Sequence, residues 1–199
     1  MKKIEIAKSL SYGWESVKKD FWYFVCLSVL YLVLTSAIQY IDGNKFGWPD
    51  VISLILSVLL SAGLLKVLLS YFDGKKLLID EMFKQIKYFW RVLAAYILLT
   101  VVVTVGLILF VIPGIYWSLK YQFVINLIVD KDMGVFEAMK QSGELTKGLK
   151  LRLLVFNLAT VGVMILGALA LGVGILVAYP VIMLAEVYVY RNLLKTEDK

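Results

Sequence analysis

Long apolar runs alternate along this chain with shorter stretches in which charged and apolar residues recur at helical spacing. The uninterrupted apolar runs lie near 21–40, 51–72, 89–112, 114–129, 151–171 and 174–190. A membrane-crossing helix needs roughly 20 apolar residues, and runs this uniform lack the alternation of barrel strands. In hydrocarbon each backbone amide must be paired within its own segment, so all six runs are expected to be helical. The expected fold is an all-α membrane protein of six transmembrane helices, with residues 1–199 as a single integral membrane domain ending in a short polar tail at 195–199.

In the polar stretches the period becomes that of an amphipathic helix. Ile4, Ala7, Leu10, Trp14 and Val17 oppose Lys8, Glu15, Lys18 and Lys19 in the first. Leu78, Met82, Ile86 and Phe89 oppose Lys76, Asp80, Lys84, Lys87 and Arg91 in the second. Phe136, Met139, Ser142 and Leu145 oppose Glu137, Lys140, Glu144 and Lys147 in the third, with Gly148 as a helix stop. Such faces predict helices lying in a membrane interface. The units also superpose. Lys19, Phe21 and Trp22 align with Lys87, Phe89 and Trp90 at an offset of 68, and Lys87, Gly114 and Lys131 with Lys147, Gly174 and Arg191 at 60. Three parallel repeats are expected over 1–73, 74–130 and 131–194, each an amphipathic interfacial helix followed by a transmembrane hairpin.

Charge orients this arrangement. Of 21 Lys and Arg residues, eighteen fall before the first run, between the second and third, between the fourth and fifth, or after the sixth, whereas Lys45 alone lies in the opposite connections. The remaining two, Lys66 and Lys120, sit within runs that lead toward the basic side. Because cationic loops stay inside, both termini are expected in the cytoplasm and the chain in the plasma membrane. Phe21, Trp22, Tyr23, Tyr71, Phe72, Phe89, Trp90, Tyr188 and Tyr190 are expected as inner-interface anchors, and Tyr40, Trp48, Tyr116 and Trp117 as outer ones. No removable signal is expected, since the first apolar run begins only near Phe21 and no small-residue cleavage pattern follows it.

Composition removes whole classes of chemistry. Hydrophobic residues make up 61% of the chain and mean hydropathy is +0.83, against about 45–50% apolar residues in soluble domains. There is no histidine, and Cys26 is the single cysteine, a small apolar residue within the first run. Metal sites, disulfides and imidazole acid–base chemistry are therefore not expected, and no phosphate loop, nucleophile elbow or HExxH pattern occurs. The expectation is a noncatalytic protein without metal or cofactor. Its net charge of +6 resides on the amphipathic stretches, which suits anionic lipid headgroups and not nucleic acid. Lys19, Lys84, Lys87, Arg91, Lys140 and Lys147 are the expected inner-leaflet lipid contacts, with a second copy of the chain or another membrane protein as the further class of partner.

Ionisable residues inside apolar runs are the default functional candidates, because each costs about 2.5–3.5 kcal/mol at a helix centre. Lys66, Lys120 and Glu186 qualify. At 1.5 Å per residue they lie about 24, 9 and 18 Å from the outer ends of their runs. One reading makes them an ion- or proton-coupled site; the other has Lys66 reaching the interface and Glu186 paired with Lys66 or Arg191 as a structural bridge. Ser53, Ser57 and Ser61, with Thr100 and Thr104, either line a water path or let helices approach closely, and Ala168, Ala170, Gly172 and Gly174 predict close packing of the last hairpin. Pro113 with Gly114 is expected as an outer turn, and Pro180 as a kink in the last helix.

One set of motifs carries a family resemblance. Ile112-Pro113-Gly114-Ile115-Tyr116, then Ala138-Met139-Lys140-Gln141-Ser142 and Leu145-Thr146-Lys147-Gly148, then Gly172, Gly174, Pro180 and Tyr190-Arg191 make the chain similar, over about 106–194, to a large group of uncharacterised prokaryotic polytopic membrane proteins. That group includes the glycerophosphoryl diester phosphodiesterase membrane domain. The resemblance implies a multi-pass membrane protein and brings no catalytic residues, because the phosphodiesterase chemistry of such proteins belongs to a separate soluble domain. A membrane scaffold, lipid-interacting or accessory protein is the expected role; the alternative is a small-solute or ion transporter or channel using Lys120, Glu186 and Lys66.

Overall fold

A computed structural model describes residues 4–41, 48–75, 87–170 and 172–197, with side chains undescribed at 38–41, 48–52 and 197. Among these residues every regular element is helical: α1 (Ile6–Lys19), α2 (Phe21–Ile41), α3 (Trp48–Phe72), α4 (Phe89–Leu109), α5 (Val111–Lys120), α6 (Val124–Lys131), α7 (Val135–Leu145), α8 (Lys150–Leu169) and α9 (Ile175–Glu197). Among the described residues α3, α4, α8 and α9 are long and apolar enough to cross a membrane, and α1 with α2, bent by 98° where they meet, brings the number to five.

The fourth expected span differs. Residues 114–129 do not form one helix, because the chain breaks at Tyr121, Gln122 and Phe123 between α5 and α6. Ten residues of α5 rise about 15 Å, half of a hydrocarbon core of about 30 Å. Nor do Tyr116 and Lys150 lie on opposite sides, as the outer-anchor expectation for Tyr116 required: the Lys150 ammonium sits 4.3 Å from the Tyr116 ring. Six spans are thus reduced to four or five candidates, and the helix expected near 76–86, on which the threefold repeat depends, lies outside the described residues.

Small residues set how closely the helices approach. At the tip of the α4–α5 hairpin Phe110 is extended, and Pro113 with Gly114 forms the first turn of α5 instead of the expected turn itself. Proline fits there because a first-turn amide has no helical acceptor. A side chain on Gly114 would meet the Leu107 side chain at 2.5 Å and its amide nitrogen at 2.8 Å, while one on Gly106 would meet the Trp117 ring at 2.7 Å. In the α8–α9 hairpin Gly167 packs equally closely on Gly174 and Ala178. The last hairpin is tight as expected, with Gly167 added to its contact.

α1 departs most from its expected role. It packs more extensively on α9 than on any other element. Its buried face is Ser9, Gly13, Ser16 and Val17, with Ile4 buried just before the helix and Leu10 packed on the core, whereas Ala7 is exposed and Trp14 is 49% exposed, so the apolar stripe defines the contact only in part. The reason is steric. Gly13 lies directly against the Val181 backbone, with the Val181 carbonyl carbon 3.1 Å from where a Cβ would stand, an approach only small residues permit.

The core lies toward the basic end. Phe24, Leu68, Phe123, Leu127, Phe156 and Leu184 are fully buried there, as is Tyr190, which with the buried Phe89 leaves the set of interface anchors. The hairpin tips are the reverse, with Ile108 78% exposed, Ile112 80% and Leu169 75%. Trp22 and Trp90 are both exposed.

Candidate functional site

The α5–α6 break frees backbone groups, and α7 supplies their partners. The Ser142 hydroxyl donates to the Lys120 carbonyl at 2.8 Å and accepts from the Phe123 amide at 3.3 Å. The Thr146 hydroxyl reaches the same carbonyl at 3.3 Å, and Asn157 Nδ2 of α8 donates to Gln122 Oε1 at 3.1 Å. Ser142 and Thr146 are fully buried, so these bonds operate where water cannot substitute. Replacing Ser142 by alanine is expected to lower stability by about 1–3 kcal/mol, read as a lower melting temperature of the detergent-solubilised protein.

Two cavities flank the break. The larger, about 530 Å³, lies among α3, α4, α5, α6 and α9. Its polar lining includes Ser61, Tyr96, Thr100, Gln122, Asn126 and Glu186. Among the described residues no cation stands within 4.0 Å of the Glu186 carboxylate, and Asn126, only 4% exposed, has its amide Nδ2 buried without an acceptor. Ser61, Thr100 and Thr104 line this space, and Ser57 and Ser61 also return hydrogen bonds of 2.9 Å to carbonyls of their own helix.

The smaller cavity, about 310 Å³, opens between α5 and the end of α7. Lys120, Lys140, Lys147 and Lys150 converge on it beside Tyr116 and Tyr121. The Lys120 ammonium stacks 5.0 Å from the Tyr121 ring, and Gly143 leaves room for its stem, since a Cβ there would stand 3.0 Å from Lys120 Cε. Glu144, 3.6 Å from the Lys147 ammonium, is the acidic group in this lining.

The three ionisable candidates from the apolar runs therefore do not share one site. Glu186 lines the large cavity and Lys120 the small one, while the Lys66 ammonium donates to the Val129 carbonyl at 3.4 Å, near the negative end of α6. Arg191 does not bridge to Glu186. Its guanidinium holds Asp130 through two bonds of 2.7 and 3.0 Å and Asp73 at 2.6 Å, and the Tyr190 hydroxyl donates to Asp130 at 3.0 Å. Of the expected lipid contacts, Lys19 is exposed at the end of α1, Lys87 stands 4.4 Å from the Tyr88 ring, Arg91 is bound to Asp132, and Lys84 lies outside the described residues. Sequence reasoning missed Asn126, Asn157, Asp73 and Asp130. Uncharged amides inside apolar runs would have flagged the first two.

Comparison with known proteins adds kinship without chemistry. Uncharacterized protein Rv2560 of Mycobacterium tuberculosis (strain ATCC 25618 / H37Rv) is 33% identical over 148 residues, which is 74% of this chain and 44% of that relative. Uncharacterized protein Mb2590 of Mycobacterium bovis aligns with the same identity and coverage. The chain thus spans less than half the length of the curated relatives it matches. No solved structure matches it. Residues 99–197, which contain the α5–α6 break, its α7 caps, Glu186 and Arg191, match the family described as "Protein of unknown function (DUF975)", and it is to this uncharacterised family that the chain's C-terminal half is similar.

Proposed function

We propose that this chain is a noncatalytic multi-pass protein of the plasma membrane that binds anionic lipid headgroups at its basic end, acting as a scaffold or accessory protein. The convergence of Lys120, Lys140, Lys147 and Lys150 on one cavity carries the reading. Four ammonium groups against Glu144 make a local cationic field suited to a phosphodiester, and the Tyr116 and Tyr121 rings line the same cavity. In this reading both termini face the cytoplasm, and α5 with α6 forms a broken fourth crossing within a six-crossing, three-unit plan. Kinship with the glycerophosphoryl diester phosphodiesterase membrane domain belongs to the same proposal.

The test is lipid retention. Purified protein in mixed nanodiscs of phosphatidylglycerol and phosphatidylcholine is expected to keep phosphatidylglycerol selectively in native mass spectrometry, and Lys120→Gln combined with Lys140→Gln, Lys147→Gln and Lys150→Gln to lose that selectivity. Equal retention by the substituted protein overturns the proposal. A second reading, a small-solute or ion transporter, has the polar cavity around Glu186 in its favour, although Lys66 and Lys120 are not among the residues lining it.

A further inference from the structure

The large cavity holds two unmet demands. Glu186 presents a carboxylate without a cation among the described residues, and the buried Asn126 amide presents a donor without an acceptor. Each is costly where water is scarce, and the two line the same space. Groups already satisfied surround them: Gln122 Oε1 is occupied by Asn157, and the Tyr96 hydroxyl reaches Ser61 Oγ at 3.4 Å. Apolar walls complete the chamber through Leu99, Val103 and Met183. About 530 Å³ is the size of a small-molecule site, and mostly apolar walls with a few placed polar groups are the usual composition of one.

The geometry points to a binding site for an organic amine that also carries a hydrogen-bond acceptor, its ammonium on Glu186 and its acceptor on the Asn126 amide. A cation suits this site because an unpaired carboxylate in an apolar span is stabilised best by a charge-assisted bond, and Tyr96 stands in the same lining. An inorganic cation fits less well: among the described residues no cluster of three acidic, cysteine or histidine groups exists to replace its hydration shell. The inference does not depend on lipid binding, since none of the four lysines lines this cavity.

Phenylethanolamine, which has both the ammonium and a hydroxyl, is a suitable probe. Its neutral counterpart is phenylethylene glycol and its anionic one is mandelate. In phosphatidylcholine nanodiscs the protein is expected to bind phenylethanolamine saturably and at least about tenfold more tightly than the glycol, as one charge-assisted hydrogen bond allows. Glu186→Gln is expected to abolish that preference. Absence of saturable amine binding, equal binding of amine and glycol, a preference for mandelate, or an unchanged amine preference in Glu186→Gln each overturns the proposal. The comparison of amine with glycol uses the unaltered protein, so it decides the matter even where a variant fails to fold.

Discussion

Substitution of Arg191 by leucine is expected to lower the unfolding free energy by roughly 3–5 kcal/mol, the cost of leaving a buried ion partner unpaired. Among the described residues Arg191 is the one counter-charge within 4.0 Å of Asp130, whose side chain is 9% exposed, and it also holds Asp73 at 34%. Without the guanidinium, two carboxylates remain close together, one of them almost out of water. Stability of small proteins totals about 5–15 kcal/mol, so the loss is a large share of the whole. The latch joins residues 118 positions apart, from the end of α3 to the end of α9, and the measurable result is early cooperative melting in detergent. Arg191→Lys keeps the charge and forfeits the two-pronged contact with Asp130, so an intermediate loss is expected. Adding Asp130→Leu to Arg191→Leu should recover part of it, because a buried pair replaced as a unit costs far less than a broken one. A melting curve for Arg191→Leu that overlays the wild type would remove the latch from any account of stability.

Gly13→Leu is expected to detach α1 from α9. In an isolated helix this exchange gains about 1 kcal/mol from propensity, whereas overpacking a close contact costs about 1–3 kcal/mol or more. The obstruction is backbone at Val181, which has no rotamer to change, so the cost sits at the upper end and outweighs the gain. α1 then swings away and exposes Ser9, Ser16 and Val17. Limited proteolysis within 6–19, together with thiol labelling of a Ser9→Cys probe, reads this directly. Gly162→Leu is the internal control. No atom lies within 4 Å of a Cβ at Gly162, so only the propensity gain operates there. Similar proteolysis of the two variants would contradict the packing argument.

What could be read in the chain was decided by how far each signal acts. Apolar runs report on solvent, a local and additive quantity, so the helices over 21–41, 48–72, 89–109 and 150–169 follow the expected bounds to within about three residues, whereas the last, 175–197, starts as expected but runs seven residues past the apolar run into the expected polar tail. The break after Lys120 left no such trace, because Tyr121, Gln122 and Phe123 are compatible with a continuous helix. Their departure from it is stabilised by Ser142, Thr146 and Asn157, residues 19–35 positions away. α1 shows the same limit from another side. Its amphipathic stripe was legible, but which face packs was settled by a glycine facing a partner that no one-dimensional pattern contains. Glu186 stood out as a charge in an apolar run. Asn126 was passed over because it carries no charge, although an amide in an apolar run is as visible a signal; that its Nδ2 lacks an acceptor shows only once its neighbours are placed.

The caps on the α5–α6 break also bear on how the molecule is made. Lys120 leaves the ribosome well before Ser142, whose hydroxyl its carbonyl awaits 22 residues later. Until α7 emerges, that carbonyl and the Phe123 amide have no protein partner at the break, and an unpaired peptide group is not tolerated in oil. A nascent chain whose emerged part ends before residue 142 should therefore keep the segment around the break in contact with water and bury it only once Ser142 follows.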